Sequence, residues 1–168
     1  MLGVAFWMLS QLFASLGAIN EWPAPPDGRL ISNIVMMGMG EPLYNFDNVA
    51  TALKIVMDDQ GIALSRRRIT LSTSGVVPMI PKVGEVLDVN LAVSLHAVSD
   101  AVRDTLVPIN RKYDIEELIE ACRAIPLRRR GKITFEYVML AGENDSPDDA
   151  RRLVRLLAGL KAKVNLLP

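Results

Sequence analysis

The residues able to do chemistry in this chain gather at the ends of short apolar runs. Met37-Gly38-Met39-Gly40-Glu41-Pro42 closes the first run, Leu71-Ser72-Thr73-Ser74-Gly75 the second, and Val93-Ser94-Leu95-His96 the third. Glu136 lies in the fourth, Phe135 to Met139, and Asn165 in the fifth, Val164 to Pro168. Glycines let a ligand approach the backbone, where strand-end carbonyls accept from an ammonium group. Glu41 adds a carboxylate and Pro42 fixes the exit of the chain. The hydroxyls of Ser72, Ser74 and Ser94 donate or accept towards a carboxylate or a ribose, and the Asn165 amide does both. Together they describe a polar rim around one small zwitterionic molecule. The Gly-Met-Gly-Glu run alone would equally serve a tight turn, so this reading needs the other strand ends.

The remaining reactive side chains carry less. His96 is the only histidine. One imidazole cannot build a metal site, although its place just past a strand end keeps it a candidate. Cys122, the only cysteine, shares an apolar stripe with Ile115, Leu118 and Ile119 and reads as a buried structural thiol. A single thiol excludes a disulfide framework and any cluster or zinc site made from this chain's thiolates alone, and it suits a reducing cytoplasm. Arg66-Arg67-Arg68 and Arg128-Arg129-Arg130 immediately precede strands. That position assigns them to the face opposite the rim, as solvated surface. With 19 basic and 19 acidic residues the formal charge is zero, which excludes a polybasic nucleic-acid arm.

The elements that must position the rim follow from periodicity. In 168 residues, half of them hydrophobic, there is room for one compact domain or part of a larger one. Residues 1–30 read as an apolar helix, with Phe6, Leu9, Phe13 and Leu16 at helical spacing, followed by a Pro-rich loop. Lacking a positive start and interrupted by Ser10, Gln11 and Ser15, this segment is read as neither signal peptide nor membrane span. From residue 31 to 168, apolar runs alternate with amphipathic helices, the pattern of βα units and a parallel sheet. The strands are predicted at Asn33 to Met37, Arg68 to Ser72, Asn90 to Leu95, Lys132 to Met139 and Val164 to Leu167, buried on both faces. Asp47 or Asn48 would cap a helix with a stripe of Val49, Ala52, Leu53, Val56 and Met57, ended by Gly61. Asp114 with Glu117 and Ser146 with Asp149 are capping-box patterns. The last helix should face inward through Leu153, Val154, Leu157 and Leu160, and shorter helical turns should follow Pro78 and Ser99. In a parallel βα architecture the strand ends form the ligand-binding face.

Read in order, the series Val35-Met36-Met37-Gly38-Met39-Gly40-Glu41-Pro42-Leu43, Arg67 to Pro78, Ser94-Leu95-His96-Ala97, Val107 to Tyr113, Glu136 to Leu140 and Val164 to Pro168 closely resembles a known family. It is the radical S-adenosylmethionine (SAM) enzymes that methylate C2 of adenine in 23S rRNA and tRNA, the dual-specificity RNA methyltransferases. The resemblance covers about residues 31–168. It implies an α/β fold, a partial (β/α) barrel of the radical SAM type, with this chain supplying strands two to six in parallel order. It implies SAM binding by the residues matching Gly40, Glu41, Ser72, Ser94, Leu95, His96 and Asn165. The cofactors it implies are SAM and a 4Fe–4S cluster, and the partners are 23S rRNA and tRNA, in the cytoplasm and away from membranes.

Against the family pattern, the three cluster cysteines and the methyl-carrying cysteine have no counterpart among these residues. The chain therefore reads as truncated at both ends, with no catalytic or metal-binding residue of its own. In the family, as the resemblance implies, one SAM methylates the distant cysteine and another yields the radical that starts methyl transfer to adenine. A chain with the SAM wall and no electron source is expected to be inactive alone. Two alternatives remain from the residues: a non-catalytic SAM or nucleoside-binding module, and an unrelated βα enzyme using Glu41 or His96 as acid or base. An unpaired edge at the Asn33 to Met37 strand is expected to favour self-association.

Overall fold

A computed structural model describes residues 31–128 and 131–168; the expectations for residues 1–30 and for Arg129 and Arg130 fall outside them. The strands are β1 (Ile34–Met36), β2 (Ile69–Thr73), β3 (Asn90–Ser94), β4 (Ile133–Val138) and β5 (Ala162–Leu167). The helices are α1 (Phe46–Met57), α2 (Ile80–Lys82), α3 (Asp100–Leu106), α4 (Ile115–Ala124) and α5 (Pro147–Leu156). All five strands are parallel in one sheet, and their order in space is their order in sequence. A doubly wound sheet reverses its strand order part way across; a barrel does not. The sequential order therefore makes this an α/β partial-barrel sheet.

Register decides which side chains share a face. Ile34, Ile69, Leu71, Leu91, Val93, Ile133 and Phe135 alternate with the other set and point to the side where the helices lie. There they meet Val49, Leu53 and Val56 of α1, Leu118 and Ile119 of α4, and Leu153, Leu156, Leu157 and Leu160 from α5 and its following turn. The opposite face carries Thr70, Ser72, Asn90, Ala92, Ser94, Thr134, Glu136 and Asn165. The expectation of strands buried on both faces holds in β2, β3 and β4, where Ser72, Ala92 and Glu136 are buried on this face, and is corrected for β5, which is largely exposed. Only the helix side is an apolar core, while the middle of the other face is polar between Val35 at one border and Val138 and Leu167 at the other. β1 and β5 border the described sheet, and Val35 and Leu166 are exposed there.

Several local expectations hold because their signals are short-range. Both capping boxes form: Asp114 accepts from the Glu117 N–H as Glu117 reaches back, and Ser146 and Asp149 do the same. Helical turns follow Pro78 and Ser99 as expected, although the first already begins one residue before the proline, at Val77. Three expectations are corrected. α1 begins at Phe46, with Asp47 already in its first turn, because the 3-10 turn Pro42–Asn45 runs straight into it and leaves no extended cap residue. It ends at Met57 rather than Gly61, since the Asp58 carboxylate accepts from the Gln60 N–H and draws the backbone into a turn. Val154 is 73% exposed. One residue on from Leu153, it is turned about 100° off the inward stripe, and Leu156 takes its place there.

Candidate functional site

The β1 loop brings the backbone into the open. Gly38 and Gly40 have φ of +109° and +81°, and a Cβ at either would meet no atom within 4 Å. Their glycines are required by conformation rather than by crowding. Glu41 follows, and its carboxylate is already engaged. Oε1 accepts from the Leu43 N–H at 3.0 Å, capping the next turn, while Oε2 accepts from the Ser74 N–H and the Ser74 hydroxyl, both at 2.7 Å. Glu41 thus ties the β1 loop to the end of β2, a task the sequence reading did not foresee.

Ser72, Ser94 and Asn165 share the polar face. Ser72 lies beside Ala92, and Ser94, Glu136 and Asn165 sit abreast on β3, β4 and β5. Asn165 donates to Glu136 Oε2 at 2.7 Å, so the buried carboxylate fixes the amide with its carbonyl oxygen turned away. Leu95 differs from its neighbours. Its side chain is in the helix-side core and its backbone N–H donates to the Glu136 carbonyl, so it contributes only through the backbone.

His96 adopts a left-handed backbone, φ 57°, which aims its ring back across the sheet end. Nδ1 accepts from the Val138 N–H at 3.1 Å, so the neutral ring carries its proton on Nε2. Burial holds its pKa below the usual 6.5, the Arg103 charge pushes the same way, and Glu136 opposes both. The His96 carbonyl accepts from Asn144, which also donates to the Val138 carbonyl and accepts from the Leu140 N–H.

Sequence reasoning missed Arg103, Asn110 and Asn144 and assigned no role to Glu136. Each is buried and polar. For Glu136 the signal was available, a lone carboxylate inside an otherwise apolar strand. For Arg103 there was none, because a short amphipathic helix carries arginines routinely. Burial draws its guanidinium down to about 10, against the opposing charges of Asp100 and Asp104, so it is charged at neutral pH.

Cys122 is buried, as expected, and burial pushes its thiol up to about 12. Among the described residues no group of three His, Cys, Asp or Glu could hold a metal ion. Arg66 and Arg67 do line the opposite end of the sheet, with Arg128, in a cleft of about 880 Å³. Arg66 and Arg128 both pair with Asp88, at 3.6 and 3.1 Å, so Arg128 is a half-buried ion-pair member rather than plain solvated surface. Among the described residues no helix is long and apolar enough to cross a membrane.

A sequential parallel sheet with helices on one face, two serines and an asparagine on the other, and a glycine loop at the end of its first strand belongs to a recognised class. Residues 28–156 match the model of the radical SAM superfamily, and the chain belongs to that superfamily. The reading as an unrelated βα enzyme is thereby set aside. Within the superfamily the chain is 62% identical over 164 residues to the dual-specificity RNA methyltransferase RlmN of Zymomonas mobilis, and 63% identical to that of Acidiphilium cryptum. Each match takes in 96% of this chain and 42% of the relative, so the chain spans well under half the length of the proteins it matches. The crystal structure of a radical SAM methyltransferase from Sphaerobacter thermophilus superposes with a TM-score of 0.86 at 45% identity, over 98% of this chain and 47% of that one. A domain of the pyruvate-formate lyase-activating enzyme from Bacteroides vulgatus, 17% identical with a TM-score of 0.62, shares the fold over 82% of this chain and 81% of its own length.

Proposed function

We propose that these residues form the SAM-binding wall of an RNA methyltransferase that acts on C2 of adenine in 23S rRNA and tRNA. The observation that carries the reading is the single polar face, where register sets Ser72, Ser94 and Asn165 on one side of the sheet. SAM suits this donor set. The open backbone at Gly38 and Gly40 admits the methionyl group closely, while hydroxyl and amide groups match its amino-acid and ribose ends. Gly40 approaches the ligand through its backbone and Glu41 holds the loop in place. Ser72, Ser94 and Asn165 contact the ligand directly. Leu95 acts through its backbone, and His96 can donate from Nε2. Bound SAM supplies the methyl group and the radical chemistry of this superfamily.

The superfamily's 4Fe–4S cluster needs thiolate ligands. Cys122, the only cysteine in the sequence, is buried under the helix layer with its thiol held protonated, and it does not fit that role. The residues of this chain therefore act on SAM alone, binding it, orienting it and shielding it from water. An RNA-modifying role together with the lone thiol supports a cytoplasmic setting. An edge at β1, where Val35 is exposed, is the ground for proposing self-association, which sedimentation velocity over a concentration series would detect and a strictly monomeric chain would refute.

Calorimetric titration of the folded chain with SAM tests the reading. Binding is expected, and a Ser94→Ala, Asn165→Ala double variant should weaken it at least about tenfold, the worth of a hydrogen bond or two. No heat from a folded sample overturns the SAM assignment. After anaerobic reconstitution with iron and sulfide, SAM should remain uncleaved. A brown chromophore near one cluster per chain, with cleavage, overturns the inactive-alone reading.

A further inference from the structure

We propose that Arg103 is the positioning residue of this site, gathering the carbonyls of Ser74, Ser94 and Leu95 onto one buried guanidinium and so setting the strand-end geometry; the role in SAM binding rests on the reading above. Arg103 projects from α3 and is fully buried. Nη2 donates to the Ser74 carbonyl at 2.7 Å and the Ser94 carbonyl at 2.9 Å, Nε to the Leu95 carbonyl at 3.1 Å, and Nη1 to Asn110 Oδ1 at 2.8 Å. Asn110 in turn donates to Asp100 and Asp104 on the same helix, at 2.9 and 2.7 Å. The guanidinium is thereby held from behind by an amide that two carboxylates orient.

The three carbonyl bonds each reach a residue of the candidate site or a partner of one. Orienting a carbonyl orients its peptide plane, so Arg103 fixes the backbone on which the Ser94 hydroxyl stands and the turn by which Leu95 leads into His96. From Ser74 the connection continues to Glu41, and from His96 to the Val138 N–H. A continuous line of hydrogen bonds thus crosses the ends of β1, β2, β3 and β4, with Arg103 at its centre. The loop is moulded to it: a Cβ on Gly75, φ +117°, would stand 3.3 Å from Arg103 Nη2 and 3.4 Å from Leu118 Cδ1. Only a planar fork serves acceptors on two strands at once. A lysine, a point charge on a flexible stem, keeps the charge and loses the geometry.

The test compares Arg103→Lys with Gly84→Ala, a packing defect against Ile125 and Pro126 that touches no strand-end residue. In the ligand-free chain, amide hydrogen exchange at Ser74, Leu95, His96 and Val138 should accelerate about tenfold or more in Arg103→Lys, as expected on losing a charge-assisted bond. Gly84→Ala should leave those amides at wild-type rates even where its melting temperature falls as far. The SAM dissociation constant should rise about tenfold in the first variant and stay at the wild-type value in the second. If the lysine variant does not fold, Asn110→Ala, which removes the support behind Nη1 and the amide that Asp100 and Asp104 orient but leaves the three carbonyl contacts of Arg103, should give the same exchange pattern at smaller amplitude. Equal exchange in the two variants, or wild-type SAM affinity in Arg103→Lys, overturns the proposal. If the wild-type chain takes up no SAM, the assignment of the ligand falls, and the exchange pattern alone decides whether Arg103 sets the strand ends.

Discussion

His96 serves through its backbone as much as through its ring: a left-handed φ of 57°, a carbonyl held by Asn144 and Nδ1 held by the Val138 N–H. Protonating Nδ1 would set N–H against N–H. The folded-state pKa lies below the unfolded value of 6.5, so the contribution of His96 to stability is present above pH 6.5 and is lost as pH falls from there through the lower folded value. Urea midpoints should be flat from pH 8 to 7 and fall between pH 6.5 and 5.5, with a slope of at most about 1.4 kcal/mol per pH unit from this one group. His96→Asn, which tolerates the left-handed backbone, should flatten that slope; an unchanged slope would place the titration elsewhere. Residues of this kind divide by how they were found. Gly40, Glu41, Ser72, Ser94 and Asn165 were legible because strand ends collect ligand groups in any parallel βα fold. Arg103, Asn110 and Asn144 were not. Their importance comes from burial and long-range partners, which spacing does not encode.

At the scale of elements, the chain was legible wherever the signal was local. The capping boxes of α4 and α5 each need only three residues of context, and both formed. The start of α1 depended on a preceding 3-10 turn, and its end on an aspartate competing for the backbone, so neither boundary followed from the helical stripe. Asp114→Ala removes the acceptor for the Glu117 N–H and should cost about 1 kcal/mol by urea denaturation. The segment between β2 and β3 carries a tighter demand. A Cβ on Gly84 would fall 2.8 Å from Ile125 Cγ1 and 2.9 Å from both Pro126 Cδ and the Pro126 carbonyl oxygen. Two of those atoms belong to a rigid ring and a backbone, which cannot swing aside. Gly84→Ala should therefore destabilise the fold by about 1–3 kcal/mol, the usual range for overpacking. A variant as stable as the wild type would show that this contact yields.

For the molecule as a whole, one sheet separates an apolar, helix-covered face from a polar one, and on the function proposed above that divides stability from ligand binding. The parallel strands and their order were legible in the alternation of apolar runs with helices, but the polarity of the face opposite the helices was not. Thr70, Ser72, Thr134 and Glu136 lie among so many β-branched and apolar residues that the alternation is masked, and only the register between neighbouring strands sorts them. That separation makes opposite mutational signatures. Phe135 is fully buried on the helix side, and Phe135→Ala opens a cavity there that should cost about 3–5 kcal/mol. Above its own unfolding temperature that variant binds nothing, yet in the cold, where it remains folded, its SAM affinity should match the wild type, because no atom of the polar face has moved. Ser94→Ala removes one hydroxyl from the other face. Its unfolding free energy should stay within about 0.5 kcal/mol of the wild type, as for most substitutions outside a core, while its SAM affinity falls several-fold. Denaturation curves and titrations on the two variants measure both quantities side by side. If Phe135→Ala lowered affinity in proportion to its lost stability, the two faces would be one cooperative unit, and the helix layer would itself shape the ligand site.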